Sequence, residues 1–292
     1  MQIVTDSGMD LSPQQRKGLD IHQMPLKITL DDKTYASGID IQSEEFYELI
    51  ENTESMPITS TPSPGDFVEI YNKLAEKDPE IISIHISSGL SGTFNAARTA
   101  AKMVKKAKVS LVDTLTLSGA QGWQVEAAAR AAKAGWSLDR TLELIKQVKD
   151  ASDTIYTLPD LKYLISGGRI SHLKGLLASI LGLKPLLGVS KTDGKYYERG
   201  KKRSFARAIE AIPQVLLRKY EAGTPMRSQI AHAGNPSGAE RLQAAIDRVF
   251  KCEWLPAVSI SPVLGAHTGR GLVGVVYAAL SALPKLPETV TS

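Results

Sequence analysis

The sequence predicts an α/β protein of two domains: an N-terminal, mostly parallel sheet with helices on both faces (residues 1–150), and a C-terminal mixed-sheet α/β domain (residues 151–282). Three observations predict it. Through the first 150 residues, short apolar β-branched runs alternate with segments of helical period, the pattern of a sheet covered on both faces. Beyond 151 comes a strand pair turned by Asp193-Gly194 and flanked by amphipathic segments, which points to a mixed sheet. The length, 292 residues, suits two domains of ordinary size.

The elements follow in order. IVT (3–5) is a strand before an Asp-Ser turn, and HQMPLKITL (22–30) is extended. SEEFYELIEN (43–52) has helical spacing with Ser43 as its candidate cap, and a second helix starts at Pro64, a residue suited to the first helical position. IISIHIS (81–87) and VSLVDT (109–114) read as buried strands around a helix from Phe94 to Lys106. Helices Val125–Ala134 and Leu138–Lys149 are separated by Gly135. TIYTLP (154–159) is a strand, DLKYLISGG (160–168) a short helix ending in two glycines, and 186–200 a hairpin. Ser204–Tyr220 is a long amphipathic helix; QIAHAG (229–234) is a strand followed by a capped helix from Asn235. Residues 258–280 give strand, glycine-rich loop, strand.

Composition bounds the function. A 42% hydrophobic and 23% charged chain has the makings of a globular core. The net charge of +4 comes without a basic stretch long enough to argue for nucleic acid. The single cysteine, Cys252, excludes an internal disulfide framework and a thiolate metal cluster, and fits a reducing compartment. The opening MQIVTDS lacks the basic and apolar regions of a signal peptide, so a cytoplasmic location is expected. GLLASILGL (175–183) is about half the length of a membrane span, so its apolar residues must face protein or a buried ligand.

Four loops of small polar residues follow predicted strands: TDSGMD (5–10), TSTPSPGDF (59–67), SSGLSGT (87–93) and HTGRG (267–271). In open α/β sheets such loops line the ligand crevice. SSGLSGT runs into a helix, whose first N–H groups and dipole favour an anion. It lacks the lysine of a phosphate-binding P-loop and is not GxGxxG, which weighs against a nucleotide; a plain capped turn is the alternative. TSTPSPGDF offers Thr59, Ser60, Thr61 and Ser63, which equally serve as an N-cap. Asp6 and Asp113 each follow a strand; turn closure competes with acid–base or Mg²⁺ chemistry. His22, His85, His172, His232 and His267 show no metal spacing. His85 reads as a core residue, whereas His267 opens a glycine-flanked loop where backbone and ligand can approach. Arg169, after two glycines, and the KKRS cluster holding Arg203 are either surface cations or ligand contacts.

Taken together, TDSGMDL (5–11), GIDIQSEEFY (38–47), TSTPSPGDF, SSGLSGTFNAA (87–97), VDT (112–114), LKYLISGGRIS (161–171), KPLL (184–187) and AHTGRG (266–271) resemble, in order and spacing over residues 1–282, the DegV family of bacterial fatty-acid-binding proteins. This implies a two-domain α/β fold with a long-chain acid such as palmitate, stearate or oleate held within it. By motif match, Thr59 and Ser91 would bind the carboxylate, and Arg169, Arg203 and His267 would form a polar network from it to the surface. Some family members present the acid to a separate ATP-dependent fatty acid kinase, which makes the acyl phosphate for phospholipid metabolism. The binding protein is then no enzyme, needs no cofactor or metal, and inserts in no membrane. The chain departs from the family at Thr61, where glutamine is common, and at Arg270, where proline is common; both bear on head-group access or partner choice.

The physics is compatible. A carboxylate accepts hydrogen bonds from hydroxyls and helix-start N–H groups without needing a lysine, at roughly 1.5–3 kcal/mol each. The tail contributes more: ~14 methylenes at about 0.8 kcal/mol give roughly 11 kcal/mol before ordering costs. Leu176, Leu177, Ile180, Leu181 and Leu183 are the candidate tunnel wall, with ordinary core packing the alternative. Two rival readings stay open: a hydrolase or phosphotransferase using Ser91 or His267 with Asp6 or Asp113, and a carrier of another small acid.

Overall fold

The computed structural model describes residues 1–170 and 182–288. The first half builds a four-stranded sheet in the order β2-β1-β6-β7, with β1 Gln2–Asp6, β2 Ile21–Met24, β6 Glu80–His85 and β7 Lys108–Asp113. All its pairings are parallel. Side chains alternate across a strand, and the core divides accordingly. Ile3, Ile82 and Ile84 face α5 (Ser118–Lys133) and α6 (Leu138–Ala151); Val4 and Ile81 face Phe67 and Tyr71 of α3 (Pro64–Ala75) and Ala97 and Ala100 of α4 (Thr93–Met103). Helices thus cover both faces, as the alternation predicts.

The second half builds a six-stranded mixed sheet in the order β10-β9-β8-β13-β11-β12. Its strands are β8 Asp153–Thr157, β9 Lys184–Val189, β10 Tyr196–Lys202, β11 Pro225–His232, β12 Lys251–Ser259 and β13 Val273–Ala279. Only β11–β12 is parallel; the predicted hairpin is the antiparallel β9–β10 pair. Neighbouring residues again part company. Ile155, Leu186 and Ile230 pack on α8 (Phe205–Leu216) and α9 (Pro236–Asp247). Tyr156, Leu187 and Ala231 turn the other way, into a core shared with Leu26, Ile28, Ile86 and Leu90 from the first half. The largest apolar cluster among the described residues therefore lies between the halves.

Beside this seam sits a third sheet, β4-β3-β5 (Lys33–Ala36, Lys27–Leu30, Ile58–Ser60), all antiparallel. The sequence merged β2 and β3 into one extended run; Pro25, which has no N–H to donate, separates them. β7 differs from its expected buried state: it is an edge strand and mostly half-buried. Ser43 is not the cap of α2 (Ser43–Glu51) but its first residue; Gln42 holds the cap position without a side-chain bond. Ser63 does cap α3, in a reciprocal box with Asp66, and Pro64 is the first helical residue.

A buried polar cluster joins the halves. Glu126 of α5, 1% exposed, takes Arg130 at 2.8 Å and Arg227 of β11 at 3.2 Å. Gln15, in the one-turn α1 (Pro13–Arg16) capped by Ser12, donates to Glu126 at 2.9 Å and accepts from Gln229 at 2.7 Å. No helix among the described residues is long and apolar enough to cross a membrane.

Candidate functional site

Four of the five expected site residues converge on one cavity in the seam. Its walls include Thr59, Ser60, Thr61, Ser91, Arg169, Tyr196 and His267 on the polar side, and Leu26, Ile86, Leu90, Val263 and Leu264 on the apolar side. Thr59 comes from edge strand β5, and Ser91 from the loop between β6 and α4. Arg169 follows α7 (Lys162–Ser166). Arg203 is exposed beyond the end of β10 and is not among the lining residues.

His267 is held differently from its predicted loop. Pro262–Thr268 form a helix, α10, with Pro262 in its first turn and His267 in its last. The Thr-Gly-Arg-Gly segment is the turn that leaves it. Asp10, in the loop after β1, accepts the Ser261 N–H at 3.0 Å and the Ser118 hydroxyl at 2.6 Å, tying the start of α10 to the N-terminal half. Burial pushes the Asp10 carboxyl up to about 7, against those two hydrogen bonds.

His267 Nε2 and Thr59 Oγ1 are 2.9 Å apart. The other ring nitrogen, Nδ1, is buried without a partner among the described residues. Burial first, and the nearby Arg169 guanidinium second, hold the imidazole down to about 4, so it is neutral at pH 7. Arg169 is then the cation lining the cavity. It donates to the carbonyl oxygens of Leu90 at 3.3 Å and Gly167 at 2.6 Å, which places its charge beside the Ser91 loop. Ser91 Oγ lies 2.9 Å from Thr93 Oγ1 and accepts the Thr93 N–H at 3.3 Å, in the first turn of α4. Two hydroxyls and a guanidinium thus line one cavity beside a helix start, a set of donors whose chemistry suits an anion with several acceptor lone pairs.

The space itself is narrow. About 30 Å³ is open here, room for a water molecule or two. A second cavity of about 20 Å³ shares Tyr196 and Leu264 with it and runs on past Leu117, Tyr156, Ile260 and Leu272. Tyr156 and Tyr196 meet edge to face, centroids 5.9 Å apart. Of the candidate tunnel wall, Leu183 is half-buried against the seam core; Leu176, Leu177, Ile180 and Leu181 lie outside the described residues. Tyr196, Val263 and Leu264 are not among the residues that the sequence motifs single out. A Pro at the head of PVLGAHT was the available sign of a helix that would carry the last two.

The two aspartates have other work. Asp6 is fully buried: it accepts from Gly8 and Ile86 N–H groups at 2.9 Å and pairs with His85 at 2.9 Å. His85 bonds Ser83 at 2.6 Å, and Ser83 bonds Tyr71 at 2.7 Å, so His85 is the satisfied core residue expected. Asp113 closes turns at Ser88 and Leu115. Neither lines the cavity. The described residues include no cluster of three metal-ligating side chains.

Comparison with known proteins adds the lineage. A DegV domain-containing protein of Staphylococcus aureus is 33% identical over 274 residues, covering 94% of this chain and 97% of that one. Two solved structures superpose closely. A DegV family protein from Thermus thermophilus, described for its fatty acid binding, has a TM-score of 0.86 at 28% identity, over 96% of this chain and 99% of that one. DegV of Bacillus subtilis, described as a fatty acid binding protein, has a TM-score of 0.85 at 29% identity, over 95% and 98%. Residues 1–280 match the family model described as "Uncharacterised protein, DegV family". On this match and on its two-domain fold, the chain belongs to the DegV family.

Proposed function

We propose that the protein binds a long-chain fatty acid such as palmitate, stearate or oleate, with the carboxylate held by Thr59 and Ser91 and the acyl chain along the apolar seam. One observation carries this reading: Thr59, Ser91, Arg169 and His267, from four separate elements, meet at the polar end of a cavity whose remaining wall is apolar. Arg169 supplies the countercharge, and the neutral His267 ring holds the Thr59 hydroxyl in place beside it. The relatives described as fatty-acid binders share the fold. The narrow cavities imply that Tyr196, Leu264 and their neighbours part to admit the tail, whose burial supplies most of the affinity.

The same geometry favours a carrier over a catalyst. A hydrolase reading needs His267 to take a proton from Ser91, but the hydrogen bond of His267 runs to Thr59, and that of Ser91 to Thr93. We therefore read the protein as a cytoplasmic binding protein without a cofactor that presents the acid to an ATP-dependent fatty acid kinase. Arg169 and His267 lie on the presentation side, with exposed Arg203 available to the partner. We also propose a domain boundary near residue 150, where α6 gives way to β8. Mass spectrometry of an organic extract of the purified protein tests the reading. About one long-chain acid per chain is expected. An acid-free extract, with no thermal stabilisation by oleate but stabilisation by ATP and Mg²⁺, overturns it in favour of an enzyme.

A further inference from the structure

The two halves also touch backbone to backbone, next to the site but outside its lining. The tip of the β9–β10 hairpin, residues 190–195, rests on the loop after β6. The tip is closed by Gly194 N–H donating to the Ser190 carbonyl at 2.8 Å and Ser190 N–H to the Lys195 carbonyl at 2.9 Å. Gly194 has a φ of 66°, the left-handed region that glycine favours. The Ser87 hydroxyl donates to the Gly194 carbonyl at 2.8 Å and accepts the Gly89 N–H at 3.1 Å. A Cβ on Gly89 would overlap the Asp193 carbonyl oxygen, and one on Gly194 would overlap the Ser87 hydroxyl. Gly89 leaves no room for a side chain against the hairpin backbone, and Gly194 none against the Ser87 side chain.

Ser91 hangs from this contact. Leu90 and Ser91 N–H groups both donate to the Ser87 carbonyl at 3.0 Å. The same turn is held from the sides by Asp113, which accepts the Ser88 N–H at 3.1 Å, and by Arg169 on the Leu90 carbonyl at 3.3 Å. Residues 87–90 are thus held from several sides: the Ser87 N–H donates to the Thr116 carbonyl at 2.9 Å, and the hairpin grips the Ser87 hydroxyl. We propose that the Asp193-Gly194 tip is a positioning element for Ser91: a segment of the second half, about 100 residues away in sequence, sets the aim of the anion-binding loop of the first. This rests on the reading of Ser91 as a carboxylate ligand.

The test compares oleate with oleyl alcohol, which keeps the tail and loses the carboxylate, titrated against the full chain. Gly89→Ala, whose added methyl runs first into the hairpin backbone at Asp193 and Gly194, is expected to weaken oleate by at least about tenfold and oleyl alcohol by less than about twofold, the difference of one hydrogen bond to a charged group. Equal losses for both ligands, or no loss for either, overturn the proposal. If Gly89→Ala does not fold, Ser87→Ala carries the same comparison: it removes the bridging hydroxyl and adds no atom. A selective loss for oleate supports the proposal, and an unselective or absent one overturns it. The underlying reading has its own control. Ser91→Ala should reduce the preference of the parent for oleate over the alcohol by at least about tenfold; an undiminished preference rejects Ser91 as a ligand, and the hairpin's role with it.

Discussion

Thr59 and His267, 208 residues apart in sequence, share a 2.9 Å hydrogen bond that closes the polar end of the seam cavity. Thr59 arrives on the edge strand of a small antiparallel sheet and His267 on the last turn of a seven-residue helix. The bond engages one ring nitrogen and leaves the other buried against Gly167, where there is no room for a side chain. A protonated ring would bury a charge beside Arg169, which is why the imidazole stays neutral.

Acidification should therefore cost stability through this residue. A histidine held down to about 4 when folded but near 6.5 when unfolded takes up a proton preferentially on unfolding, so its contribution is present above pH 6.5 and lost as the pH falls toward 4. His267→Gln should flatten the melting temperature between those limits relative to the parent. Arg169→Ala should raise the His267 titration midpoint, but only partway, since burial is the larger cause; NMR of the ring protons reads it directly.

Asp10 works in the opposite direction. Its carboxyl is held at about 7 when folded against 3.8 when unfolded, so its stabilising share is full below pH 3.8 and is lost as the pH rises to 7. Asp10→Asn mimics the protonated acid. It should melt above the parent at pH 8 and show no gain at pH 4, as measured by calorimetry at both values.

Ser91→Ala deletes a half-buried hydroxyl from a loop, with no cavity left in a core. It should weaken oleate by about tenfold to a hundredfold, the worth of one hydrogen bond to a carboxylate, and shift the melting temperature little. Unaltered oleate affinity in a binding titration would remove Ser91 from the head-group site.

Glu126→Ala removes the carboxylate between Arg130 and Arg227 and strands the amide of Gln15. Breaking so buried a pair should destabilise by about 3–5 kcal/mol, read as a lower denaturant midpoint. Arg227 also lies over the Trp123 ring, 5.0 Å from its centroid, so near-ultraviolet dichroism should change with it.

Most of the fold was legible because it rests on period. β1, β6 and most of the helices from α3 onward, though not the one that carries His267, declare themselves by apolar spacing and by caps such as Ser63 and Asn235. What escaped does not depend on period. β3 and β4 turn on Asp31-Asp32, both at positive φ, instead of the glycine that marks such hairpins. α5 begins at Ser118, seven residues before its predicted start, because SGAQG reads as a loop and Ser118 itself has a φ of 56°. β12 begins at Lys251 in a charged, proline-containing edge strand. In the site, the polar residues were visible as motifs, while their meeting was not. Nothing local in Tyr196 or Gly194 says that the second half will lean on the first.

The order of the second sheet also has a consequence for biosynthesis. β13 follows every other strand of that sheet in the chain, yet it lies between β8 and β11, holding the two sides together. While a ribosome is still making the residues before Val273, β8–β10 and β11–β12 can exist only as two separate fragments with open edges. The sheet closes in a single late step, and the helix bearing His267, translated just ahead of β13, is fixed at the same moment. Binding competence should thus arrive all at once at the end of synthesis, and a nascent chain stalled before β13 should hold no acid.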